Sequence, residues 1–171
     1  MEHRRYLCNC WCVAGWSKDH TCALRPQTLL GENIVVFRKA DGTTAALEDA
    51  CPSSKIPLSM GQLGGDTVVS GYHGLTFVCT GRCTDSPTQR GMTSRRAVVR
   101  SYPVVDRYRL LWIWMGDPEQ ADPNEIFEIE NFDNPAWDYT NGGVLSIACN
   151  YLWVEPIFWT QAISHLSLIH I

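Results

Sequence analysis

The feature that most constrains this chain is a succession of short apolar segments, rich in β-branched and aromatic residues, separated by glycine and proline. Residues 34–37 form one such segment, and Asp41-Gly42 is a strong turn signal before a second one at residues 43–47. Two such segments around an Asp-Gly pair predict a β-hairpin. Further strands are predicted at residues 67–69, 75–78, 97–99, 104–105 and 110–115. This spacing is typical of a small β-sandwich or barrel, so the fold is predicted to be mostly β.

The clearest break in the chain lies at two polar, proline-bearing segments, residues 116–118 and 121–123. Such segments mark domain boundaries, and a length of 171 residues suits one domain and the start of a second. Beyond the break, the sequence predicts a loop at residues 126–137, a strand at 144–153 and a helix at 156–165.

Charge and hydropathy exclude two classes of protein. The net charge of -4 argues against a nucleic-acid-binding protein, which would normally present a basic face. No secretory signal is evident, and the longest apolar run, residues 110–115, is too short to cross a bilayer. A soluble, cytoplasmic protein that binds neither nucleic acid nor membrane is therefore expected.

The eight cysteines permit either a disulfide framework or free thiols. A chain of this size with no secretory signal does not need disulfides. Most of the cysteines lie in apolar or strand-like text, so buried free thiols are predicted for them. These are Cys8, Cys10, Cys12, Cys79 and Cys149.

Two short motifs carry the chemistry of the chain. Cys51-Pro52-Ser53 is followed, after sixteen residues, by Ser70-Gly71-Tyr72-His73-Gly74. An isolated Cys51 and His73 would be read as a buried thiol and a surface histidine. Here the surrounding sequence matches a known motif over some forty residues. It resembles the motif of the Rieske iron-sulfur proteins, in which Cys-x-His and Cys-x-x-His stand at about this separation.

The resemblance implies a small antiparallel β domain over residues 6–117, with two loops that approach a 2Fe-2S cluster. In that family each loop gives one thiolate to one iron and one imidazole to the other. Cys51 and His73 retain ligand positions, whereas Ser53 stands where the family has histidine and Ser70 where it has cysteine. Because a serine hydroxyl is a hard, high-pKa donor, a normal four-ligand cluster is not expected to form stably.

Three further residues match the surroundings of the family's cluster. Gly71 and Gly74 lie beside ligand positions, where glycine lets the backbone come close and donate N–H groups to the sulfurs. Pro87 lies where the family places a third loop that covers the cluster.

The resemblance extends over nearly the whole chain and points to aromatic-ring oxygenases similar to the oxygenase (alpha) subunit of vanillate O-demethylase. In them an α+β catalytic domain follows, whose mononuclear non-haem iron is held by two histidines and a carboxylate. The chain would hold the start of that domain, at residues 118–165, with His165 as a candidate iron ligand. A histidine on a frayed terminal helix is the alternative. Trp159 and Ala162 stand where the family has Asn and Asp.

The last six residues, 166–171, read Leu-Ser-Leu-Ile-His-Ile. This is the translation of a widely used transposase sequencing adapter, CTGTCTCTTATACACATC. Our hypothesis is that these residues derive from the adapter, so that His170, at the spacing of a second iron ligand, is an accident of translation. An independent read of the source DNA tests it.

Three functions are compatible with the sequence. By resemblance, the chain is a fragment of an oxygenase component, an oxidoreductase that uses O2 to demethylate or hydroxylate small aromatic acids. Its partners would be a reductase or ferredoxin, and intact relatives are expected to be homotrimers. The alternatives are a non-functional remnant that keeps the β fold without metals, and a Rieske-type electron carrier. The substituted ligands predict that the chain as written is inactive.

Overall fold

The computed structural model describes residues 8–87, 97–137 and 148. Its elements are almost all short antiparallel strands that form three sheets. By contacts, the chain divides into two units, Met1–Glu128 and Ile129–Ile171. Among the described residues, no helix has the length and apolar character needed to cross a membrane.

The first sheet joins the two ends of the larger unit. Its strands are β1 (Cys10–Trp16), β10 (Val104–Arg107) and β11 (Leu110–Met115), in the order β1-β11-β10. The pairing of β1 with β11 connects strands about one hundred residues apart, with Cys10 opposite Met115. The continuous apolar run of β11 is explained by its burial, because five of its six residues are buried.

The second sheet lies at the centre of the unit. It contains β2 (Arg25–Leu29), β3 (Glu32–Arg38), β4 (Thr44–Glu48) and β9 (Ser101–Tyr102), in that order. In β3, Val35 and Phe37 belong to one core cluster, whereas Ile34 and Val36 belong to the other. Because both faces of this strand are buried, its residues need not alternate between polar and apolar. This accounts for the continuous apolar run at residues 34–37.

The third sheet consists of β5 (Gln62–Gly64), β6 (Thr67–Val69), β7 (Thr76–Val78) and β8 (Cys83–Asp85), in sequence order. Short 3-10 turns complete the fold at Ser17–Asp19, Leu58–Met60, Pro118–Gln120 and Pro123–Glu125. The loop between β6 and β7 and the longer connection from β4 to β5 carry the motifs described above.

Most of the predicted strands are confirmed. The hairpin around Asp41-Gly42 is β3 and β4, and the strands predicted at residues 67–69, 75–78, 104–105 and 110–115 all form, with ends that differ by up to two residues. The strand predicted at residues 97–99 is wrong, because only an isolated bridge between Arg82 and Val98 is formed there. The loop predicted at 126–137 is confirmed, since no helix or strand is present in it. The elements predicted at residues 144–153 and 156–165 lie outside the described residues, apart from residue 148.

Of the seven cysteines in the described part of the chain, six are free thiols: Cys10, Cys12, Cys22, Cys51, Cys79 and Cys83. Burial was wrongly predicted for Cys8, which is exposed because it precedes the first strand of the sheet. Cys10, Cys12 and Cys79 are half-buried, and Cys149 lies outside the described residues.

Candidate metal centre

The two motif loops converge at one point. Ser53 Oγ lies 3.3 Å from Cys51 Sγ and 3.2 Å from His73 Nδ1. The Ser70 side chain belongs to the same site, since it helps to lower the pKa of the Cys51 thiol. The structure thus brings together all four positions at which the sequence resemblance places cluster ligands.

The backbone of each loop is held by its own hydrogen bonds. In the first loop, Cys51 N–H donates to Ile56 O at 2.9 Å, and Lys55 N–H donates to Cys51 O at 2.8 Å. In the second loop, Ser70 N–H donates to Leu75 O at 2.8 Å, and Gly74 N–H donates to Ser70 O at 3.1 Å. Each loop therefore contains a turn that is closed by backbone hydrogen bonds and not by the hydroxyls of Ser53 and Ser70.

Close approach of backbone holds the two loops against each other. A Cβ atom at Gly61 would lie 2.0 Å from Val69 O, and one at Gly71 would lie 3.1 Å from Met60 O. Glycine avoids a clash at residue 61 and a tight contact at residue 71, which explains why the backbones approach each other at these residues. Asp49 anchors the first loop, since its carboxylate accepts from the Ser59 backbone N–H at 2.7 Å and from the Ser59 hydroxyl at 2.6 Å.

Gly74 and Pro87 also lie together. Gly74 has a φ of 65°, and a Cβ atom there would lie 3.3 Å from Pro87 Cγ. The proline ring thus packs over the second loop, in a place that a larger residue at position 74 would occupy. Both residues were predicted to lie beside the cluster, and the signal for Gly61 is its place at the end of the Pro-Leu-Ser-x-Gly segment at residues 57–61.

The four side chains differ in burial. Cys51 is fully buried and Ser70 is 3% exposed, whereas Ser53 is exposed and His73 is half-buried. The Tyr72 ring stands edge-on to His73, with ring centroids 4.4 Å apart. The site is therefore a buried thiol and hydroxyl beneath a surface-accessible hydroxyl and imidazole.

Hydrogen bonds control the protonation of Cys51. Burial alone would raise the pKa of this thiol. Hydrogen bonds from the Ser53 side chain and backbone, and from the Ser70 and Ser54 hydroxyls, outweigh burial and lower the pKa to about 7. Ser54 is a contributor that the motif comparison missed, because the family pattern does not include its position.

These residues do not fit the ligand set of a Rieske cluster. Such a cluster takes two thiolates and two imidazoles, and the site offers one of each together with two hydroxyls. Within the described residues, no group of three or more His, Cys, Asp or Glu side chains could hold a metal ion. The site is instead satisfied internally, because none of its side-chain atoms is among the buried polar atoms that lack a partner in the described part of the chain.

The remaining predicted site residues, Trp159, Ala162, His165 and His170, lie outside the described residues.

Comparison with known protein families identifies the fold. The Rieske [2Fe-2S] domain profile matches residues 10–103, more than half of the chain. The chain belongs to this family. The match spans all the Rieske-domain strands from β1 to β9, including the two loops of the site.

The relatives of this Rieske domain are oxygenase components. The vanillate O-demethylase oxygenase subunit of Pseudomonas sp. (strain ATCC 19151) is 41% identical over 143 residues, which are 83% of this chain and 42% of that protein. The crystal structure of dicamba monooxygenase bound to dicamba superposes with a TM-score of 0.83 at 36% identity, over 92% of this chain and 47% of that one. The reduced oxygenase–ferredoxin complex of carbazole 1,9a-dioxygenase gives a TM-score of 0.60 at 28% identity, over 68% and 30%.

The chain spans less than half the length of these curated relatives. It corresponds to the part of a Rieske oxygenase component that contains the iron-sulfur domain. This confirms the family and the mostly β fold that the motifs predicted.

Proposed function

We propose that this chain is the Rieske-domain portion of an oxygenase component and that, as it stands, it folds without a cluster and does not carry electrons. The observation that supports this is the position of the Ser53 hydroxyl, within hydrogen-bonding distance of both Cys51 Sγ and His73 Nδ1. Thiol, hydroxyl and imidazole form a hydrogen-bonded chain in which Ser53 is the partner of both other groups. This arrangement needs no metal to hold the loops together.

The test is the iron and acid-labile sulfide content of the protein after anaerobic reconstitution with iron and sulfide. We expect a folded, colourless protein with far less than one cluster per chain, because two of the four ligands are absent. The antiparallel β fold is checked by circular dichroism on the same sample. About two irons and two sulfides per chain with a Rieske-type absorption spectrum would contradict the proposal.

For the full-length protein, we propose the activity class of its relatives. It would use O2 to demethylate or hydroxylate a small aromatic acid in the cytoplasm, with electrons from a ferredoxin or reductase. A homotrimer with a mononuclear iron site that includes His165 belongs to the same proposal. The extent of similarity supports it, because matches to oxygenase components reach 96% of this chain, beyond the Rieske domain.

A stand-alone electron carrier is the alternative. It is distinguished by O2 uptake that depends on an aromatic acid, measured with a protein extended to the length of the relatives and with reductase present. Uptake that depends on the acid supports an oxygenase, whereas reduction and reoxidation with no such dependence supports a carrier.

A further inference from the structure

This site differs from the ligand set of its family at two positions, Ser53 and Ser70. We infer that the loss of cluster binding resides in two side chains, Ser53 and Ser70, and that the Ser53→His and Ser70→Cys substitutions together produce a site that holds a 2Fe-2S cluster. This inference rests on the proposed function, in which the chain as it stands lacks the cluster.

The first support is the convergence of the four positions. Ser53 Oγ is within 3.3 Å of both Cys51 Sγ and His73 Nδ1. The buried Ser70 side chain is near enough to the Cys51 thiol to lower its pKa. Ligand positions separated by about twenty residues of sequence are thus already gathered around one point. A degraded site whose loops had moved apart would not show these contacts.

The second support is that neither Ser53 nor Ser70 uses its side chain to close the turn of its own loop. Their turns are closed by backbone hydrogen bonds, and the close backbone approach at Gly61 and Gly71 packs one loop against the other. Gly74 and Pro87 keep their contact as well. Substitution of the two serines therefore leaves the supporting geometry in place.

The third support is that burial matches the size of each change. Ser70 is buried, and its replacement by cysteine exchanges only an oxygen for a sulfur atom. Ser53 is exposed, so the larger imidazole of histidine can be accommodated without overpacking a core. The two substitutions supply one thiolate and one imidazole, which complete the two-thiolate, two-imidazole set.

The experiment compares the full chain with four variants: Ser53→His, Ser70→Cys, the double variant, and a control that combines Ser53→His with Thr80→Cys. Thr80 is an exposed residue of the turn after β7, so the control adds the same two residue types with the thiol in the wrong place. After anaerobic reconstitution, iron, sulfide, visible absorption and the paramagnetic resonance spectrum of the reduced protein are measured.

We expect about two irons and two sulfides per chain in the double variant, and about tenfold less in the unaltered chain and the control. A folded double variant that stays colourless would overturn this inference and leave the proposed function intact, because damage would then extend beyond the two side chains. Stoichiometric cluster in the unaltered chain would overturn the proposed function itself.

The Ser70→Cys variant tests the same geometry if the double variant does not fold. It places a second thiol beside Cys51 and His73 at a position that tolerates the exchange. Titration with Co2+ should give an intense thiolate-to-cobalt charge-transfer band in this variant and a far weaker one in the unaltered chain. A folded Ser70→Cys variant without such a band would overturn the inference, since the positions would not converge on one ion.

Discussion

At the scale of single residues, the local surroundings shift the pKa values of two thiols, Cys51 and Cys12, in opposite directions. Hydrogen bonds from serines lower the pKa of Cys51 to about 7 despite its burial. Burial, followed by the neighbouring Cys10 thiol at 3.9 Å, raises the pKa of Cys12 from 9.0 to about 12. The two pKa values differ because the Cys51 thiol faces hydrogen-bond donors, whereas the Cys12 thiol faces apolar side chains and a second thiol.

The raised pKa of Cys12 predicts a loss of stability at alkaline pH. The unfolded chain releases this proton near pH 9, whereas the folded chain retains it to about pH 12. The contribution of Cys12 to the free energy of unfolding is therefore complete below about pH 9 and is lost as the pH rises toward 12. We expect Cys12→Ala to flatten the fall in urea midpoint between about pH 8 and about pH 10, measured with reductant present.

The matched control is Cys22→Ala, because Cys22 is exposed. It should show the same pH dependence as the unaltered chain. If the urea midpoint fell equally with pH in all three proteins, ionisation of Cys12 would not be the cause of the fall.

Gly61 gives a second prediction at this scale. Its φ of -89° is open to any residue, so the effect of a Cβ atom is purely steric, 2.0 Å from Val69 O. We expect Gly61→Ala to lower the free energy of unfolding by about 3 kcal/mol, measured by urea denaturation, because the backbone at Gly61 or at Val69 must move.

Gly64→Ala is the control for Gly61→Ala. A Cβ atom at Gly64 meets only ordinary contacts, the nearest at 3.6 Å from Thr67 Oγ1. Its effect should stay within about 0.5 kcal/mol of zero or be slightly stabilising. Similar losses in the two variants would show that close packing of the loops is not the cause.

At the scale of elements, one residue connects the strand β1 to the segment that follows β11. Asn9 Oδ1 accepts from Asp117 N–H at 2.9 Å, its Nδ2 donates to Gln120 Oε1 at 3.0 Å, and its backbone N–H donates to Met115 O at 2.8 Å. Its φ of 55° lies in the left-handed region, which asparagine tolerates better than most residues. Asn9 therefore fixes the start of β1 and the exit of β11 together.

Replacement of Asn9 separates backbone strain from hydrogen bonding. Asn9→Ala should lower the free energy of unfolding by about 2 kcal/mol, since it loses the side-chain bonds and strains the backbone. Asn9→Gly should cost about 1 kcal/mol, because glycine adopts the same φ. Thermal unfolding followed by tryptophan fluorescence measures both. Losses below about 0.3 kcal/mol in both variants would contradict this role.

At the scale of the whole molecule, the larger unit includes residues that follow the predicted end of the Rieske domain. The predicted domain ends at Asp117, and that boundary remains a prediction. Residues beyond it contact the first sheet: Trp11 Nε1 donates to Asp122 O at 2.8 Å, Ile126 is 3% exposed, and the Phe127 ring stands edge-on to Trp112. These contacts lie within the unit Met1–Glu128.

Two truncated chains test how much this segment contributes. A chain that ends at Glu128 should unfold cooperatively. A chain that ends at Asp117 should be less stable by about 3 kcal/mol, because it exposes the surface under Ile126 and loses the bond to Trp11. Urea denaturation at equal protein concentration compares them. Equal free energies of unfolding in the two chains would show that residues 118–128 do not stabilise the fold.

Several parts of the fold could be read from sequence because their causes are local. The Asp41-Gly42 hairpin is an example, since Asp41 Oδ1 accepts from both the backbone N–H and the hydroxyl of Thr43 within the turn. Strand β11 is another, because its apolar run is long enough to stand out. By contrast, β2 begins with Arg25 and Pro26, and β9 has only two residues. These strands exist because β3 and β4 pair with them, so their own sequences carry little signal.

The same division holds for the site. The sequence by itself determined the family, the two motif loops and the two positions where serine replaces a ligand, because motif spacing is a property of the chain alone. Only the tertiary structure decided that the Ser53 hydroxyl lies within hydrogen-bonding distance of both Cys51 Sγ and His73 Nδ1. That outcome depends on two backbones approaching at Gly61 and Gly71, residues from different loops, and on contacts that no local pattern encodes.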